Sequence, residues 1–227
     1  MARPIRLKDI QAITFDCYGT LIDWEGGAQE MLRGILARRG LRADEAAFFR
    51  HWERTQRSRI QQGYAPYHQI VRETFLEVAR QFPLPLSPED ATAFADAIPR
   101  WEPFPDVPKA LAALKRRLRL GIISNIDDAL LEGSVAQMGV EFDLKMTAEQ
   151  ARAYKPASRP FELALERLGL PVNLVAHAAF GFEYDIVTAS RLGFRTILVR
   201  RRRTEFPPHP LPDLVVFNLA ELAAAFA

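Results

Sequence analysis

The sequence predicts an α/β protein, a Rossmann-like doubly wound parallel sheet core with an inserted four-helix cap domain, and three observations carry that prediction. Short strand-like runs, "QAITFD" at 11–16, "RLGIIS" at 119–124, "AHAAFG" at 176–181 and "RTILV" at 195–199, alternate with helix-length segments. That alternation is the mark of parallel strands joined by crossover helices. From about residue 27 to 98 it stops, and only helical periodicity remains. "PRWEPFPDVP", residues 99–108, then holds four prolines and reads as the return linker.

Each element has its local reason. The first strand runs over 11–16 and ends on Asp16. In the insert, Ala28, Met31, Leu32, Ile35 and Leu36 share one helical face, and Gly40 closes that helix. A second helix follows Asp44, turns Phe48, Phe49 and Trp52 inward, and stops near Gly63. A third carries Tyr67, Ile70, Val71, Thr74, Phe75 and Val78; a fourth starts at Ser87-Pro88, a capping residue before a first-turn proline. After the linker come a helix over 106–118, a strand over 119–124, a helix over 127–138 and a short strand near 142–145. A helix over 158–168, a strand over 176–181, a helix over 185–192, strands at 195–199 and 213–217, and a last helix complete the chain. The expected division is therefore core over 1–22 and 104–227, with cap over 23–103.

At 227 residues, with 48% apolar and 26% charged residues, the chain has enough apolar side chains for a sizeable core. A net charge of +2 does not point to a polyanion partner, and residues 24–103 hold 11 basic and 11 acidic side chains, a balance of zero. No nucleic acid and no membrane are therefore expected as partners. A single cysteine, Cys17, excludes an internal disulfide and fits a reducing compartment. "MARPIRLKDI" has no apolar core of a signal peptide, and no uncharged run is long enough to span a bilayer, so a cytoplasmic location is expected. Of 30 basic residues only five are lysines, which makes Lys155 in "AYKPAS" more telling.

In open α/β sheets, ligands bind at the carboxyl ends of the strands. Asp16, Ser124 and Asn125 fall there, Asp185 opens the helix just after the strand at 176–181, and Lys155 lies in a loop before a helix. A carboxylate at a strand tip followed by a glycine turn suits a nucleophile. A neighbouring ammonium would hold it ionised. Ser124, with the amides that open the next helix, suits an anionic group. Asp185 suits either metal binding or activation of a water.

"FDCYGTL", "IISN", "YKP" and "FEYDI", in that order over nearly the whole chain, resemble the haloacid dehalogenase superfamily. Tyr18 resembles its L-2-haloacid dehalogenase branch, because the superfamily's phosphatases carry a second Asp there as general acid. Leaving-group chemistry explains the difference. An alkoxide needs a proton to depart, whereas a halide does not. The resemblance implies Asp16, Lys155 and Asp185 as catalytic residues and Tyr18, Thr20, Ser124 and Asn125 as substrate-binding or nucleophile-ordering ones. It implies a small carboxylate substrate, an aspartyl ester intermediate, no cofactor or metal, and relatives that often pair as homodimers through the cap. The alternatives are a Mg²⁺-dependent phosphatase of the same superfamily, with Asp16, the carbonyl of residue 18 and Asp185 as ligands, and a non-catalytic binding protein.

The pattern has departures. Glu53 follows Trp52 where the family has an arginine, leaving Arg50 or Arg54 to substitute; Phe161 replaces a tyrosine, and Phe180 and Phe182 replace Ser and Asn before Asp185. Phe180 also removes a phosphatase's metal-binding acid, although Glu183 stands nearby. Tyr18, Phe180 and Phe182 are expected to line an unusually apolar site. The four histidines show no metal-ligand spacing and carry no assigned role, the arginines at 200–203 read as solvated surface, and Trp24, Trp52 and Trp101 are expected where cap meets core.

Overall fold

The computed structural model describes residues 7–201 and 209–227. Six strands form one parallel sheet: β1 (Ala12–Phe15), β2 (Arg119–Ser124), β3 (Leu144–Thr147), β4 (Val175–Ala179), β5 (Arg195–Val199) and β6 (Leu214–Val216). Their spatial order is β3-β2-β1-β4-β5-β6. The chain leaves β1 toward β2 on one side and later returns to β4 on the other, so the switch in direction falls at the tip of β1. Every residue of β1 and of β4 is buried, which suits strands flanked on both sides and covered on both faces.

Four helices separate β1 from β2: α1 (Trp24–Arg38), α2 (Glu45–Ile60), α3 (Tyr67–Gln81) and α4 (Pro88–Ala95). Asp23 caps α1 through the Gly26 amide and Asp44 caps α2 through the Ala47 amide, while Ser87 and Asp90 form a reciprocal capping box on α4. Their inner faces share an aromatic core in which Phe75 stacks on Phe94 at 4.5 Å and the Trp52 indole donates to Thr74 Oγ1 at 3.1 Å. Trp52 therefore belongs to the middle of the helical layer rather than to its junction with the sheet. Trp24 and Trp101 do face that junction, with Trp24 lining the cavity below and Trp101 set edge-on to Tyr18.

The amino end of α3 is capped from elsewhere in the chain. Asp127, beyond β2, accepts the Tyr67 and His68 amides at 2.8 Å each. Tyr154 donates to the Ala65 carbonyl at 2.6 Å nearby. These contacts fix the helices over the carboxyl edge of the sheet, where a cavity remains.

The rest of the chain wraps the sheet with α5 (Val107–Lys115), α6 (Asp128–Ala136), α7 (Ala148–Ala151), α8 (Arg159–Leu168), α9 (Val187–Leu192) and α10 (Leu219–Ala225). Several elements differ from the sequence expectation, β3 among them, which runs two residues later at Leu144–Thr147. The first helix begins at Trp24, three residues early; α7 is an added single turn after β3; and Asp185 lies in one wide turn, Phe182–Ile186, ahead of α9. Arg201 is no solvated residue: its guanidinium donates to Asp106 at 2.8 Å and twice to the Thr20 carbonyl, while residues 202–203 lie outside the described residues. Residues 1–6, within the N-terminal stretch judged free of a signal, also lie outside them. No described helix is long and apolar enough to cross a membrane.

Candidate active site

Asp16 follows the last residue of β1, and its amide still bonds to Ala178 of β4 at 3.1 Å. The chain then turns sharply, with the Thr20, Leu21 and Ile22 amides all donating to the Cys17 carbonyl. Gly19 makes the turn at φ 91°, and a Cβ there would stand 2.4 Å from the Phe180 ring. The turn brings Thr20 Oγ1 to 2.8 Å from Asp16 Oδ2, and the same hydroxyl accepts the Phe180 amide at 3.0 Å. Thr20 is buried and orders the nucleophile candidate from behind rather than lining the cavity.

Lys155 is 2% exposed, and its ammonium makes three bonds: to Asp16 Oδ1 at 2.9 Å, to Asp185 Oδ1 at 2.6 Å and to the Ile123 carbonyl at 2.8 Å. Asn125 clamps the lysine's backbone, accepting the Lys155 amide at 2.7 Å and donating to its carbonyl at 3.0 Å. The Asn125 amide group is thus committed to placing Lys155. Asp16, Lys155 and Asp185, far apart in sequence, meet within hydrogen-bonding distance.

Burial raises the Asp16 carboxyl, Lys155 pulls it down and Asp185 pushes it up again, so it titrates above the ordinary carboxylate value. Burial opposes the charge on Asp185 as well, but Lys155 and a hydrogen bond from His177 outweigh it and hold that carboxyl low. Burial works to discharge Lys155, and the two carboxylates more than restore it, so the ammonium persists at neutral pH. A buried lysine facing two acids favours the anionic form of both, and Asp16 is the more basic of the two.

These groups open on a cavity of about 80 Å³, room for several waters and hence for a short acid. Its floor holds Asp16, Ser124, Asn125, Lys155 and Asp185; its walls are Tyr18, Trp24, Ile60, Tyr67, Phe180 and Tyr184, with Gln56 and Arg57 reaching in from α2. Tyr18 lends only its ring. Its hydroxyl bonds to Ser134 at 2.8 Å, and burial pushes its ionisation well up, so it gives up a proton far less readily than a carboxylic acid.

Several expectations need correction. Phe182 is not among the lining residues; it packs with Ala179, Ile186 and Leu198. Arg50 and Arg54 are exposed, and the cap arginine at the cavity is Arg57, which bonds to Glu53 at 3.1 Å and lies 5.0 Å over the Tyr184 ring. Helical phase held that signal: Trp52, Gln56 and Ile60 make the buried stripe of α2, and Arg57 flanks it. Glu183 is exposed and does not line the cavity. The histidines are not all idle, because buried His177 bonds to Asp185.

Mg²⁺ does not fit this donor set. Both Asp16 oxygens are bonded, Oδ1 to Lys155 and Oδ2 to Thr20, the ammonium beside them repels a cation, and Phe180 stands where a further acid would be needed. Among the described residues, no group of three His, Cys, Asp or Glu side chains is placed to bind a metal.

A family model of haloacid dehalogenase-like hydrolases matches residues 10–180. Over 224 residues the chain is 29% identical to the (S)-2-haloacid dehalogenase of Pseudomonas sp. (strain YL), covering 96% of this chain and 94% of that one. Among solved structures, a defluorinating L-2-haloacid dehalogenase superposes with a TM-score of 0.88 at 22% identity over 99% of both chains. The L-2-haloacid dehalogenase of Xanthobacter autotrophicus with covalently bound chloropropionic acid gives a TM-score of 0.82 at 24% identity, over 95% of this chain and 97% of that one. At these identities the two superpositions establish a common fold.

Proposed function

The chain belongs to the haloacid dehalogenase-like hydrolases, and from that premise we propose that it removes the halogen of a small 2-haloacid through an ester on Asp16. One observation carries the reading. A buried carboxylate faces the cavity, kept ionised by Lys155 and oriented by Thr20, with no carboxylic acid at position 18 to protonate a leaving group. The relative from Pseudomonas is named for this substrate class.

In the first step an Asp16 oxygen attacks the halogen-bearing carbon. A carbon–oxygen bond forms as the carbon–halogen bond breaks, and the halide leaves with the bonding pair and needs no proton. In the second step a water attacks the carbonyl carbon of the Asp16 ester and gives a proton to Asp185. The tetrahedral intermediate collapses by breaking the bond from that carbon to the substrate oxygen, which takes the proton from Asp185. The product is a 2-hydroxy acid, and loss of the remaining proton to solvent restores the Asp16 carboxylate.

Ser124 and Arg57 supply polar contacts for the anionic substrate, Asn125 acts by placing Lys155, and the Tyr18, Phe180 and Tyr184 rings exclude water. Residues 23–103 serve as the cap over this site, hinged at 18–25 and 99–105, where Ile22 bridges Pro103 and the Asp23 amide bonds to the Glu102 carbonyl. A cytoplasmic location accords with the one buried cysteine.

The test is halide release from L-2-chloropropionate in excess EDTA, with Asp16→Asn as the blank. Release by the wild type alone is expected, and the variant should keep its melting temperature, since it removes one of two buried like charges. Turnover by Asp16→Asn would sink the nucleophile assignment.

A further inference from the structure

His177 lies in the middle of β4 between Ala176 and Ala178 and is fully buried. Its Nε2 is 3.1 Å from Asp185 Oδ1 and its Nδ1 is 2.9 Å from Thr14 Oγ1 on β1. The Phe161 and Phe194 rings stand edge-on to the imidazole at 5.1 and 6.3 Å between centroids, closing off its other sides. We propose that His177 is a positioning residue for ester hydrolysis: it donates from Nε2 to Asp185 and, with Lys155, pins Oδ1 so that Oδ2 is left to take the proton of the attacking water.

The geometry makes the two oxygens unequal. Oδ1 receives Lys155 at 2.6 Å and His177 at 3.1 Å. Oδ2 lies over Gly181, where a built Cβ would come within 2.6 Å of it, so glycine leaves that oxygen the space it occupies. A carboxylate held through one oxygen only by a lysine would still swing about that contact. A second donor, set by a strand and two aromatic rings, fixes its plane. Asp185, held low as a carboxylate, can only accept, so Nε2 is the protonated nitrogen facing it; Thr14 Oγ1, 2.9 Å from Nδ1 and 3.3 Å from the Ala176 carbonyl, completes the chain behind the imidazole.

This inference rests on the two-step reading, but its consequences fall on the second step alone, since His177 bonds to Asp185 and has no bond to Asp16. The decisive comparison is between two amides. A glutamine at 177 places its nitrogen near the position of Nε2 and can still donate to Asp185; an asparagine places its nitrogen near Nδ1 and cannot. In single-turnover experiments, halide release reports ester formation and 2-hydroxy acid release reports ester hydrolysis. His177→Asn should form the ester at close to the wild-type rate but hydrolyse it about 10-fold or more slowly, so that the ester accumulates and mass spectrometry finds it on the peptide bearing Asp16. His177→Gln should recover most of the hydrolysis rate. A general loss of packing would affect both variants and both steps. Equal effects on the two steps, or equal rates in the two variants, overturn the proposal.

A second measurement needs no substrate. ¹⁵N NMR of the imidazole in the wild type should show Nε2 protonated at neutral pH, with its signal moved by Asp185→Asn. A bare Nε2 overturns the proposal whatever substrate the protein takes, whereas failure of wild-type halide release with a protonated, Asp185-sensitive Nε2 would count against the dehalogenase reading alone.

Discussion

Replacing Lys155 by methionine tests the electrostatic core of the site. The side chain is 2% exposed, of similar length in both residues, and bonded to two carboxylates and one carbonyl. Removing one partner of a buried ion pair costs about 3–5 kcal/mol because the other charge is left uncompensated. For a domain of this size that corresponds to a fall of about 6–20 °C in melting temperature. The loss should depend on pH with a defined sign. In the wild type, the depressed Asp185 contributes stability that is present above the ordinary value of 3.8 and lost as pH falls through its lower folded value. In Lys155→Met both acids would titrate above 3.8, so each favours folding below 3.8 and disfavours it as pH rises through the raised value. The gap between the two proteins should be widest at neutral pH and narrow toward about pH 4. Urea unfolding followed by the fluorescence of the three buried tryptophans reads it directly. A gap below about 1 kcal/mol, or one unchanged between the two pH values, would refute the argument that the ammonium holds two buried charges.

Asn125→Ala removes both bonds to the Lys155 backbone, at 2.7 and 3.0 Å, and should lower kcat by the equivalent of about 1–3 kcal/mol while changing KM little; steady-state kinetics decide, and a KM effect alone would make Asn125 a substrate contact. Gly19→Ala puts a methyl against the Phe180 ring at a φ of 91°, so poor folding or a much lower melting temperature is expected by calorimetry. The pH profile of kcat/KM should fall on its acid side at a value above 3.8, since burial raises Asp16 and only its anion attacks; a rate still flat at that pH would mean that Asp16 is not the titrating nucleophile.

The sheet was legible because its strands are short apolar runs bounded by turn residues, and β2 and β5 fall where the pattern puts them. The start of α1 was not, because Gly26 and Gly27 are poor helix formers; the Asp23 cap and the packing of Trp24 on Phe49 and Trp52 decide it. Asp16, Ser124 and Asn125 could be placed at one edge from strand ends, and Lys155 and Asp185 from the loop and helix start that follow later strands. Which of them touch the cavity contents could not, because that depends on where side chains turn. Asn125 and Thr20 spend their polar atoms on neighbours, Tyr18 points its hydroxyl at Ser134, and Phe182 packs away from the site. His177 went unread because one histidine in an alanine-rich strand has no partner in sequence, its acid being eight residues on in a turn no periodicity reveals.

The arrangement also says why two donors rather than one hold Asp185. Before reaction the buried trio holds two negative charges and one positive, and Lys155 divides its bonds between the acids. In the proposed second step Asp16 is esterified and uncharged, so the lysine is left with Asp185 as its one anionic partner, which makes that acid a weaker base as it accepts a proton. His177, bonded to the same oxygen as Lys155, orients Asp185 through that step. On the proposed mechanism Lys155 acts in both steps, so that no substitution of it can separate them, whereas of the two acids His177 bonds to Asp185 alone. The contrast between Lys155→Met, which should depress halide release itself, and His177→Asn, which should leave halide release and stall the ester, is therefore a direct reading of which charge serves which step.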